Sequence, residues 1–137
     1  MTVVIDTNIA LDLLVFDDPA SAPLRRALDA GELQWLATAA MRDELARVLA
    51  YPLVADRLAQ NDRDAQDVLA AFDGRVHRLC ETPPRAPCAC SDPDDQIFID
   101  LAVARGARLL SKDRAVLTMR KRLAALGVAV SALWSQA

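Results

Sequence analysis

Short apolar runs alternate along the chain with longer stretches in which apolar residues return every three or four positions. Gly, Pro, Asp and Asn punctuate the boundaries. The short runs read as buried strands at residues 3–5, 34–37, 75–80, 108–110 and 128–130. The longer stretches read as helices at 8–16, 21–30, 38–50, 53–60, 64–72, 92–105 and 114–126. Asp17-Asp18-Pro19, Gly31, Pro52, Gly74, Gly106 and Gly127 are the expected stops. Thr38 and Asp92 are expected N-caps, with Pro93 at a first helical position. Residues 82–90, with Pro83, Pro84 and Pro87, read as an extended loop.

Strands that alternate with helices predict an α/β fold with a mainly parallel sheet. In such folds ligands bind beyond the carboxyl ends of the strands, near the point where strand order reverses. No repeat or low-complexity segment interrupts the pattern, and 137 residues suit one domain spanning 1–137.

Four acids break the pattern. Asp6 closes the run Val3-Val4-Ile5, and Asp113 follows Leu109-Leu110. Glu44 lies within the stripe Met41, Leu45, Val48 and Leu49, whereas Asp43 shares its face with Arg47 and Ala50 and reads as a surface acid. In Asp92-Pro93-Asp94-Asp95 the first acid has a sufficient role as a cap. Periodicity cannot separate Asp94 from Asp95, and Asp100 reads as solvated. An unpaired buried carboxylate is costly. Several ending in one place suggest a pocket for a hard divalent cation on oxygen ligands, Mg²⁺ or Mn²⁺, as one or two ions. A cation so held acidifies a bound water and acts as a Lewis acid.

Composition narrows the surroundings of such a site. Apolar content is 53%, yet no run approaches the ~20 residues of a membrane span. No basic leader precedes the first strand, so a cytoplasmic protein with no membrane association is expected. Three cysteines argue against a disulfide framework. A zinc site from His77, Cys80, Cys88 and Cys90 is disfavoured, because a strand would point His77 and Cys80 to opposite faces. The net charge of −3 argues against indiscriminate attraction to nucleic acid. Arg105, Arg108, Lys112, Arg114, Arg120, Lys121 and Arg122 nevertheless form a basic segment opposed only by Asp113, which could grip phosphates.

These motifs resemble the PIN domain family, metal-dependent ribonucleases common as toxins of toxin–antitoxin modules. Val3-Val4-Ile5-Asp6-Thr7-Asn8 resembles its opening, Glu44 its helical glutamate, and Leu109-Leu110-Ser111-Lys112-Asp113 its strand followed by Thr/Ser-x-Asp. Ser91 to Ala102 is similar to a branch that carries Asp-Pro-Asp-Asp before a Leu-x-x-Ala helix. The resemblance selects Asp95 over Asp94 and implies a three-layer α/β/α fold with a five-stranded sheet of order 3-2-1-4-5. It implies Asp6, Glu44 and Asp95 as the central metal ligands and catalytic acids, with Asp113 as a more peripheral fourth. Asn8 and Ser111 would be supporting polar groups and Thr7 a helix cap. Lys112, where the branch often has glycine, would pair with Asp113 or, with Arg114, contact RNA. RNA is the implied substrate, with 5′-phosphate and 3′-hydroxyl products. A small antitoxin and a homodimer are the implied partners, the dimer face drawn from apolar residues between Leu53 and Phe72. The rival readings are a catalytically silent RNA- or protein-binding relative, a flap nuclease, for which the chain lacks room, and a receiver-like phosphoacceptor. The last fits poorly because Asp6 stands alone and no Asp follows the third strand.

Overall fold

In the computed structural model, which describes residues 1–135, the strands are β1 (Thr2–Ile5), β2 (Gln34–Thr38), β3 (Val76–Cys80), β4 (Arg108–Leu110) and β5 (Val130–Ser131). They form one sheet of order β3-β2-β1-β4-β5, and every neighbouring pair is parallel. The helices that flank it are α1 (Thr7–Leu14), α2 (Ala22–Asp29), α3 (Ala39–Leu49), α4 (Pro52–Gln60), α5 (Ala65–Arg75), α6 (Gln96–Arg105), α7 (Arg114–Leu117) and α8 (Arg120–Ala125). This is the expected three-layer α/β/α arrangement.

β1 is central. Val3 and Val4 are 0% exposed and Ile5 3%, as expected of a strand covered on both faces. From β1 the chain builds outward through β2 to β3, then crosses back to place β4 on the other side of β1. Strand order therefore reverses between β1 and β4. The β1–β4 pairing extends one residue past the strand, where the Asp6 amide donates to the Leu110 carbonyl at 2.9 Å.

Local details depart from the sequence pattern. Gly74 does not stop α5, which continues to Arg75 before β3 starts. Glycine ends helices cleanly where it takes positive φ, as Gly106 does after α6 at φ 60°. Pro52 opens α4 as its first residue, the position where a missing N–H costs nothing. The expected helix 114–126 is broken into α7 and α8. There the Thr118 hydroxyl donates to the Ala115 carbonyl at 3.0 Å, competing with the backbone ladder. Asp92 caps a 3₁₀ turn, Pro93–Asp95, and α6 follows. The last strand is shifted to Val130–Ser131. The apolar residues of α4 and α5, Val54, Leu58, Val68, Leu69 and Phe72, are core; Leu53, at 84%, is exposed.

Candidate metal centre

Asp6, Asp95 and Asp113 each stand at the N-cap of a helix, heading α1, α6 and α7. Their chain positions are far apart, but the reversal point brings them together, with one carboxylate oxygen from each within 4.8 Å of the others. Asp6 and Asp95 are buried, at 4% and 7% exposure, and Asp113 is half-buried. Three helix N-termini thus converge on the cluster, and their positive dipole ends offset part of its repulsion.

Ser111, fully buried, organises two of the three acids. Its hydroxyl donates to Asp6 Oδ2 at 2.6 Å and accepts the Asp113 amide at 3.1 Å. Asp113 Oδ1 in turn accepts the Ala115 amide at 2.9 Å, which fixes its rotamer. Asp6 closes no side-chain cap bond in regular geometry, although the amides of Thr7 and Asn8 lie close enough to favour its charged form.

Glu44 lies outside the trio. It is half-buried on α3, and its Oε2 accepts the Thr7 hydroxyl at 2.5 Å. Thr7 is accordingly the first residue of α1 and a tether for Glu44; the cap is Asp6. Asp94 is exposed, but its charge acts on Glu44. Lys112 does not pair with Asp113. Its ammonium reaches Asp12 on α1 at 2.7 Å, which leaves Asp113 free to join the cluster. Asn8 and Arg114 are exposed beside Asp6 and Asp113. Arg108 drops out of the expected basic face because it stacks on Trp134 at 5.0 Å, whereas Arg105, Arg120, Lys121 and Arg122 are exposed.

The electrostatics are those of crowded acids out of water. Burial raises the Asp6 pKa, and Asp113 adds to the rise, while the bond from Ser111 opposes it. Burial also raises Glu44, against the Thr7 bond. Asp95 is pushed up to about 7, by burial first and then by Asp6, Asp113 and Asp92. Asp95 Oδ2 is buried and finds no hydrogen-bond partner among the described residues. An orphaned buried carboxylate oxygen beside two further carboxylates fits a small, hard divalent cation; the donor set is all oxygen. The cysteines and His77 supply no such cluster among the described residues. His77 is exposed, Cys80 is buried, and all three thiols are free.

Two polar residues that the sequence pattern misplaced or passed over are also buried here. Asp100 is 9% exposed rather than solvated, and Gln96 is 6% exposed. Together they bind the irregular segment before Asp92, through the Ala86 and Cys90 amides and the Cys88 carbonyl. Helical periodicity could not find this. The usable signal was the long proline-bearing loop, whose backbone groups need partners wherever they are buried.

No curated protein matches the chain. A family model described as PIN domain matches residues 2–115, from β1 to the start of α7, and so takes in Asp6, Glu44, Asp95 and Asp113. Such domains are generally metal-dependent nucleases, in keeping with a carboxylate cluster at the switch point of a 3-2-1-4-5 sheet. With the match covering most of its length, the chain belongs to the PIN domain family.

Proposed function

We propose that this protein is a Mg²⁺- or Mn²⁺-dependent endoribonuclease. One observation carries the reading: Asp6, Asp95 and Asp113 converge within 4.8 Å, and one buried oxygen of Asp95 has no partner among the described residues. Asp6, Asp95 and Asp113 would hold one ion, with Glu44 at the rim able to orient water or share a second. A bound divalent ion supplies Lewis acidity and charge neutralisation for hydrolysis of a phosphodiester. Ser111 keeps Asp6 and Asp113 in register, and Thr7 keeps Glu44 turned inward. Arg114, exposed at the start of α7, and Lys112 beside it are the proposed contacts to the RNA backbone.

The Asp92-Pro93-Asp94-Asp95 motif supports a place in the branch that contains toxins of toxin–antitoxin modules, acting in the cytoplasm and restrained by a small antitoxin. Among the described residues no helix is long and apolar enough to cross a membrane. Tyr51 and Leu53, exposed together where α3 meets α4, are the proposed centre of a homodimer face.

The test is cleavage of a mixed RNA panel with and without Mn²⁺, beside an Asp6→Asn control. Mn²⁺-dependent cleavage that the control lacks supports the proposal. Cleavage that survives in Asp6→Asn refutes it, and RNA binding without cleavage would favour a catalytically silent relative.

A further inference from the structure

Residues 81–92 link β3 to α6 without regular structure, long enough that such a loop is expected to be either functional or loose. Two side chains of α6 hold this loop. Asp100 Oδ1 accepts the Ala86 amide at 2.8 Å and Gln96 Nε2 at 2.8 Å. Gln96 then grips the loop further along: its Oε1 accepts the Cys90 amide at 2.7 Å, and its Nε2 donates to the Cys88 carbonyl at 3.1 Å. The two residues are four apart on α6, so they lie on one face and act as a single clamp.

The clamp adjoins the candidate centre on both sides. Gln96 directly follows Asp95 in the chain. Cys90, at the clamped end of the loop, is within electrostatic reach of Asp95, Asp92 and Asp113. A buried acid and amide are an expensive way to pack a helix, since an aliphatic pair would fill the same space without desolvation. What they add is fixed direction, and carboxylate clusters work only within about 0.5 Å of their productive geometry.

We propose that Gln96 and Asp100 are positioning residues for the cation site. By clamping residues 86–90 to α6 they fix the wall beside Asp95 and the angle at which Asp95 enters the cluster. The proposal rests on the cation-binding reading above but needs no assumption about the substrate.

It is tested by measuring Mn²⁺ affinity calorimetrically and trypsin cleavage at Arg85–Ala86, whose amide is the one held by Asp100. Asp100→Ala and Gln96→Ala are expected to weaken Mn²⁺ binding about tenfold, the lower end for residues that orient ligands. Both should speed cleavage at Arg85–Ala86, with circular dichroism unchanged. Asp100→Asn, which keeps an acceptor oxygen, should restore both properties. Unchanged Mn²⁺ affinity in the two alanine variants would overturn the proposal even if cleavage quickened, because the pair would then be only a loop anchor. Unchanged cleavage would overturn it as well. If the unsubstituted protein bound no Mn²⁺, the metal centre itself would fall and this inference with it, a failure visible before any substitution is made.

Discussion

The hydroxyl of Ser111 donates to Asp6 Oδ2 at 2.6 Å across 105 positions of chain, and the same oxygen accepts the amide of Asp113. One buried hydroxyl therefore sets the spacing of two acids that follow neighbouring strands. Ser111→Ala should lower metal affinity and cleavage by about 10- to 100-fold. It should also cost about 1–3 kcal/mol of stability, because the Asp113 amide loses its acceptor. Chemical denaturation and Mn²⁺ titration of the same sample would check both.

Asp6→Asn should reduce cleavage by more than about 100-fold, beyond the usual effect of a residue that merely orients a ligand. Without metal, its melting temperature should be equal or higher, since one negative charge leaves a crowded cluster. A variant that is inactive because it is unfolded would contradict this.

The pH dependence of metal-free stability follows from Asp95, raised from the ordinary carboxylate value of 3.8 to about 7. Between those values the folded state holds a proton that the unfolded chain has released. Protonation therefore favours folding, and stability falls as pH rises from about 4 to about 7, by at most about 1.4 kcal/mol per pH unit for this group. The raised pKa values of Asp6 and Glu44 act in the same direction. Mn²⁺ should reverse the loss at pH 8, adding about 2.7 kcal/mol at a hundred times its dissociation constant, and do far less at pH 5, where protons compete. Thermal melts at the two pH values, with and without Mn²⁺, would show it.

Glu44 is tethered by Thr7 outside the trio, so Glu44→Gln should be milder than Asp6→Asn, about tenfold in turnover. Single-turnover cleavage of one RNA by both variants gives the ranking. Equal losses would place Glu44 on the same footing as the trio.

Lys112 already neutralises Asp12, whereas Arg114 is exposed at the start of α7. Arg114→Ala should weaken RNA binding uniformly across sequences and reduce the salt slope by about 1. Lys112→Ala should do less, and should change stability by about 0–1 kcal/mol, as exposed ion pairs do. Binding to a catalytically dead protein at several salt concentrations separates the two.

The alternation of apolar runs and helical stripes, with Asp6 and Asp113 just past two runs, was sufficient to specify a parallel α/β sheet and to place two acids at strand ends. Strand identity and caps such as Thr38 and Asp92 are local properties, set by spacing and by the short reach of a side chain to its own helix. Tertiary structure alone decided which acids meet. Asp113 meets Asp6 through Ser111, Glu44 is tethered to Thr7 beside the trio, and Lys112 turns to Asp12 on α1, a partner 100 positions away that no local pattern reveals. Asp100 looked solvated by periodicity and is buried because a loop 14 positions earlier folds over it. Hydrophobic period reports the face a helix turns to its core. It does not report whether irregular chain covers the other face, because that cover is held by hydrogen bonds to individual backbone groups, and these leave no period in the sequence.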